Sequence, residues 1–188
     1  MNREKDIIKI SLQENLSEIS KKFQMDIPEE IINYISSVIS MYYKGFPFYL
    51  IDIEEENPLR KNKIRGDLSL LLVGFFNEWV NRKNRPITQE DYIATGKLSY
   101  FYVYSFLENR YGDIYYKEQE KMYLQNIQKI YSYMDIFKSL SEEFEFYARF
   151  LNVYRKEARE TSKFLDNFPE LRLEDFRIFI KNKKWEDR

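Results

Sequence analysis

Apolar side chains recur along this chain at intervals of three and four, the period of one helix face. Leu12, Leu16, Ile19 and Phe23 set that spacing across residues 5–23. Asp26-Ile27-Pro28-Glu29 then reads as a cap with proline at the first helical position. Ile31, Ile32, Ile35, Val38, Ile39 and Tyr42 carry a second helix to about Lys44, where Gly45-Phe46-Pro47 stops it. A loop, FPFYLIDIEEENP, mixes an apolar patch with the acidic run Glu54-Glu55-Glu56. The cations Arg60, Lys61, Lys63 and Arg65 follow it.

The next stretch, RGDLSLLLVGFF at residues 65–76, breaks the pattern. Leu68, Leu71, Leu72, Phe75 and Trp79 share one helical face, yet Leu70, Val73 and Gly74 on the other sides are apolar too. A helix apolar all round is buried all round, which predicts a central helix over residues 67–76. The run is too short to span a membrane, which takes about 20 apolar residues. An Arg-Gly-Asp adhesion motif must project from an exposed loop, whereas Asp67 leads straight into the apolar run. Gly66 and Gly74 each cost up to about 1 kcal/mol inside a helix. Close approach of a neighbouring helix is the physical reason to keep them.

Beyond the turn Asn84-Arg85-Pro86, Thr88-Gln89-Glu90-Asp91 matches a capping box and opens another helix. Tyr100 to Tyr104 alternates as a strand would, but no hairpin partner stands beside it, so a helix is expected there too. From Asp113 to Phe168 there is neither Gly nor Pro. Tyr123, Ile127, Ile130, Met134 and Phe137 form one apolar seam; Phe144, Tyr147, Leu151, Tyr154 and Ala158 form another. One unbroken helix would be about 75 Å long, against a radius of gyration near 16 Å for a domain this size. The helix therefore bends, or projects and pairs with a second chain. Ser139-Leu140-Ser141-Glu142 matches the capping-box pattern and places the bend near residues 138–142. Phe144, Leu151 and Tyr154 are the candidate interface if the chain dimerises. A last helical segment carries Leu165, Phe168, Leu171, Phe176, Phe179 and Ile180, split by Pro169, and residues 181–188 are expected to fray. The fold class expected is all-α: one domain over residues 1–188, a bundle of about six helices around the buried one.

Composition narrows the chemistry. The chain has no His and no Cys. That removes imidazole bases, thiolate nucleophiles, disulfides and the commonest metal ligands. Lys plus Arg number 30 and Asp plus Glu 31, so the net charge of -1 opposes general polyanion binding. The start, MNREKDIIKISLQENL, is charged and amphipathic, unlike a secretory signal, and the expectation is a cytoplasmic protein.

Gly66-Asp67 with the apolar run to Gly74-Phe75-Phe76 is one group of residues that looks familiar. Tyr92-Ile93, Gly96 and Tyr100 are a second, and Phe137 to Phe144 a third. Together they resemble a bacterial family of uncharacterised proteins of about 200 residues. The resemblance covers roughly residues 60–155, with a weaker echo at Leu171 to Ile180. It implies no activity, cofactor or catalytic residue. Members often carry Pro where this chain has Asn77, which places the end of the buried helix near Phe76. Asn77 would then cap a short turn through Glu78, Trp79 and Val80.

Candidate motifs mostly fail on their mechanics. Ala94-Thr95-Gly96-Lys97 resembles the end of a phosphate loop, but Asp91 stands where the upstream Gly belongs and Leu98 where Ser or Thr must hold magnesium. No Ser is followed by Lys three residues on. Glu142, Glu143 and Glu145, or Glu157 and Glu160, lack the His that bundle di-iron sites pair with Glu. The run Glu54 to Glu56 lacks the alternation of a calcium loop. The 16 Tyr suit a base-stacking platform less well than a core with wet hydroxyl tips. Two features stand out. Arg60, Lys61, Lys63 and Arg65 ahead of a helix N-terminus make a candidate anion site. Asp67, at the mouth of an apolar helix, is a candidate buried polar group that needs a partner such as Arg65, Lys97 or a Tyr hydroxyl. The function expected is a non-enzymatic protein–protein interaction or scaffold module, with a homodimer open. The alternative is a nucleic-acid or nucleotide-binding regulator using the basic flanks. No cofactor, metal or membrane is expected.

Overall fold

The computed structural model describes residues 3–42, 53–82, 86–118 and 125–160. Among these the chain forms helices only. They are α1 (Arg3–Lys22), α2 (Glu29–Tyr42), α3 (Pro58–Phe75), the single turn α4 (Asn77–Val80), α5 (Gln89–Glu118), α6 (Gln125–Glu142) and α7 (Phe144–Glu160). The bundle is all-α, as the apolar periods require. The stop at residues 45–47, most of the turn at 84–86, Tyr123, the segment from Leu165 to Ile180 and the tail 181–188 lie outside the described residues.

The central helix is α3. It packs along α5 and α7; α5 also packs along α6, and α1 against α2. From Gly66 to Phe75 every residue is buried. The helix starts well before the apolar run, at Pro58. Its start is set by Asn57, whose side chain accepts from the backbone N–H of Leu59 and Arg60 at 3.0 and 3.2 Å, with Pro58 at the first turn. Asn77 does not cap α4 as expected. It is the first residue of that turn, and its amide points back toward the Val73 carbonyl and the Gln89 side chain.

The start of α5 is the predicted capping box. The Thr88 hydroxyl accepts from the Asp91 N–H at 3.3 Å, and the Asp91 carboxylate accepts from the Thr88 N–H at 2.8 Å and its hydroxyl at 2.9 Å. Those bonds, the backbone one first, hold the Asp91 carboxyl below its ordinary range. Tyr100 to Tyr104 lies inside α5, with Tyr100 and Val103 turned into the core and Phe101 and Tyr102 outward.

The bend between α6 and α7 falls at Glu143, next to the expected place. Ser139 does not cap there. Its hydroxyl meets the Tyr147 hydroxyl at 2.6 Å, and Tyr147 donates to Glu143 at 3.1 Å, so one phenol clamps both sides of the corner. The bend folds the second apolar seam inward. Phe144, Leu151 and Tyr154 are 0%, 0% and 2% exposed in the single chain. Their seam is used in the chain's own core, which corrects their assignment as a surface for a second copy.

The glycines explain how the seam fits. A Cβ on Gly96 would lie 2.3 Å from the Phe144 ring, one on Gly66 2.7 Å from the Tyr100 ring, and one on Gly74 2.6 Å from the Leu151 Cβ. Gly74 has the least room to yield, because the Ala148 backbone carbonyl also stands 3.1 Å away. Gly74→Ala is expected to cost about 1–3 kcal/mol through overpacking. That outweighs the roughly 1 kcal/mol alanine gains in helix propensity. Chemical denaturation measures it, and a stabilised variant would show that α3 and α7 are not in close contact.

Candidate functional site

Asp67 is the only carboxylate buried in the core among the described residues. Three helices converge on it. From α2, the Tyr34 hydroxyl donates to Oδ1 at 2.6 Å; from α5, the Tyr100 hydroxyl donates to the same oxygen at 2.9 Å. One turn back on α3, the Lys63 ammonium reaches Oδ2 at 2.6 Å. Lys63 also stands 5.1 Å from the centre of the Tyr34 ring, a cation–π contact. Phe137 braces both phenols, edge-on to Tyr34 at 5.5 Å and tilted beside Tyr100 at 5.9 Å. Gly66 leaves the space that the Tyr100 ring occupies.

A carboxylate taken out of water needs such partners, since its desolvation is otherwise prohibitive. Here both oxygens are engaged. Of the four groups, Lys63 is the one that touches solvent, with its side chain 33% exposed. The expected partner class, a Tyr hydroxyl, is present twice. Neither Arg65 nor Lys97 fills that role; Lys97 pairs with Glu145 on α7 at 3.1 Å.

Burial, and then the nearby Asp67 charge, push the Tyr34 and Tyr100 hydroxyls well above their ordinary pKa. The same causes push Tyr42 up to about 12. A phenol raised this way stays neutral in the fold while the unfolded chain ionises near pH 10. Its stabilisation is whole below pH 10 and is lost as pH climbs from 10 toward the folded value. Each fully buried phenol should therefore remove about 1.4 kcal/mol of stability per pH unit above roughly pH 10. Denaturant midpoints taken between about pH 9 and 12 test this. Tyr34→Phe should flatten the decline, and a midpoint unchanged across that range would contradict the buried pair.

The proposed anion site is not assembled. Arg60, Lys61, Lys63 and Arg65 lie within the first eight residues of α3 instead of ahead of its N-terminus. The Asn57 side chain takes two of the N–H groups an anion would use. Helical spacing scatters the four cations around the axis, and Lys63 turns inward to Asp67. Lys61 instead borders a groove it shares with Glu54, Glu55 and Glu56.

A second cleft, about 280 Å³, opens between α3, α5 and α7, with Asn77, Gln89, Glu145 and Arg149 on its walls. Gln89 is engaged there with Asn77 and Asn81. Among the described residues no group of three or more acidic side chains is placed to hold a metal ion. None of the described helices is long and apolar enough to cross a membrane.

Sequence periodicity misses the outer face of α5. Leu98 is 68% exposed, Phe101 54%, Tyr102 43% and Phe106 38%. Their spacing of three and four puts them on one side of the helix. The signal is masked because the inward face, with Tyr92, Tyr100 and Val103, is just as apolar.

Fold and site together define a helical bundle with a buried Tyr–Asp–Tyr–Lys knot and an apolar outer helix face. No protein-family model, curated protein or solved structure matches this chain, so no activity comes to it by likeness.

Proposed function

We propose that the chain is a non-enzymatic interaction module whose docking surface is the outer face of α5, where it receives a helix of a partner chain. The observation that supports this reading is the row Leu98, Phe101, Tyr102 and Phe106, four large apolar side chains left in contact with water. Apolar area gains about 25 cal/mol per Å² when covered, so a contiguous row is a standing incentive to bind. The knot around Asp67 supports it indirectly. Its groups satisfy one another, and it fixes α5 to α3 so that the outer face is presented on a rigid helix. The reading takes the protein as cytoplasmic, which fits its lack of cysteine.

The test places a photoreactive residue at position 101 of the full chain in its native cell. Discrete protein adducts are expected from 101, lost when Leu98→Glu is added, and none from the exposed position 142. Identical adducts from both positions, or none from 101, would reject the α5 face as a docking surface.

A further inference from the structure

The cleft of about 280 Å³ between α3, α5 and α7 is walled by residues at helical spacing. Glu145, Arg149 and Asn152 stand four and three residues apart on α7, so they share one side of it. Gln89 and Ile93, four apart, come from α5. Val73 and Ala148, both buried, add apolar surface. The volume lies just under the roughly 300–1,000 Å³ of common ligand pockets, so an occupant must be small.

Most polar groups on these walls are already spent. The Asn77 amide N–H group points to the Val73 carbonyl and to Gln89, and its oxygen accepts from Asn81 at 3.0 Å. Asn152 donates to the Gly74 carbonyl at 3.4 Å. Glu145 is paired with Lys97 at 3.1 Å. The Gln89 oxygen accepts from both Asn77 and Asn81, at 3.3 and 2.6 Å, and two donors on one atom identify it as the oxygen. Gln89 Nε2 is then the end left over, with no acceptor among the described residues. The Arg149 guanidinium likewise meets no carboxylate among them. What the cleft leaves unmatched is one amide donor and one cation beside apolar surface.

We infer that the cleft binds a short aliphatic monocarboxylate, whose oxygens take the Arg149 guanidinium and the Gln89 amide while its chain lies against Val73, Ile93 and Ala148. A guanidinium is a planar fork that matches a carboxylate, and hydrogen bonds between charged partners are the strong ones. Glu145 and the Asn152 oxygen, on the same side of α7 as Arg149, disfavour a second negative charge. A dicarboxylate or a phosphate therefore suits the cleft less well. The site uses Gln89 and Ile93 of α5 and none of its outer row, so it stands or falls apart from the docking reading.

The experiment is a proton–nitrogen NMR titration of the full chain with butyrate, exchanged for chloride so that ionic strength stays fixed. Saturable shifts are expected at the Gln89 side-chain amide and at Arg149. The dissociation constant should be on the order of millimolar, which so small a ligand can reach. Butyramide, the same shape without the charge, should bind at least about ten-fold more weakly. Butyrate should lose as much on Arg149→Gln, a change at an exposed position that leaves the fold intact by circular dichroism. Gln89→Glu is the sharper variant. It keeps an oxygen for Asn77 and Asn81 and puts a carboxylate oxygen where the donor stood, so the chain should fold and butyrate binding should vanish. If that variant fails to fold, Arg149→Gln decides alone. Absence of a saturable shift, or equal affinity for butyramide, would overturn the inference. So would butyrate binding that survives Arg149→Gln or a folded Gln89→Glu, since the ligand would then sit elsewhere. Succinate or inorganic phosphate binding as tightly as butyrate would mean an adventitious anion on an arginine, and would overturn it too.

Discussion

Asp67→Ala is expected to destabilise the fold by about 2–6 kcal/mol, the cost of leaving two buried donors without their acceptor. The carboxylate is the acceptor for both Tyr34 and Tyr100, whose buried hydroxyls lose it together. A buried donor left bare costs about 1–3 kcal/mol. Lys63 loses less, because its one-third exposed side chain can turn to water. Lys63→Met, by contrast, leaves the buried Asp67 carboxylate without its cation, and should cost about 3–5 kcal/mol, the range for stranding one charge of a buried pair. Tyr34→Phe and Tyr100→Phe should each cost less, about 1–2 kcal/mol, because Asp67 keeps Lys63 and the other hydroxyl. Urea or guanidinium unfolding of the four variants gives the ranking. If Lys63→Met cost only what an exposed pair does, about 1 kcal/mol or less, the carboxylate would have to be solvated.

Phe144→Asp is expected to abolish cooperative folding. The Phe144 ring is fully buried, seated on Gly96 and 6.2 Å from the Tyr100 ring. Truncating such a ring costs about 3–5 kcal/mol. A carboxylate in its place adds the cost of an unpaired buried charge, several kcal/mol more. The total approaches or exceeds the roughly 5–15 kcal/mol that holds most domains together. Circular dichroism and a thermal melt decide it. A well-folded Phe144→Asp chain would mean that the seam from Phe144 to Tyr154 lies outside the core.

The two substitutions mark where sequence reasoning reaches and where it stops. The apolar run Leu68 to Phe76 declares a buried helix because no side of it is polar. Thr88 and Asp91 declare a helix start because the capping box is local chemistry. Asp67 is conspicuous for the same local reason. Its partners Tyr34 and Tyr100 are not identifiable, since each lies 33 residues away and only the packing of three helices brings them together. Asn57-Pro58 carries a local start signal for α3, but the acidic run before it and the cations after it read as a loop. That reading puts Lys63 in an anion site when its partner is Asp67, one turn on. The seam through Phe144, Leu151 and Tyr154 is legible as apolar. Whether it faces inward or outward depends on the bend at Glu143, which the spacing alone does not orient. The outer row on α5 shows the converse limit: two apolar faces on one helix defeat any reading that looks for a single stripe.

The glycine under Tyr100 and the carboxylate beside it act on one ring from two sides, and this fixes registry as well as position. A slide of α5 along α3 by one turn would carry the Tyr100 hydroxyl about 5.4 Å away, beyond hydrogen-bond reach of Asp67. The same slide would lift the ring out of the hollow at Gly66 and present it to side chains that bear a Cβ. Gly96, moved with it, would no longer lie under Phe144. An interface of leucines alone tolerates neighbouring alignments with similar burial; this one has a single alignment in which the ring, the hydroxyl and both glycines are accommodated together.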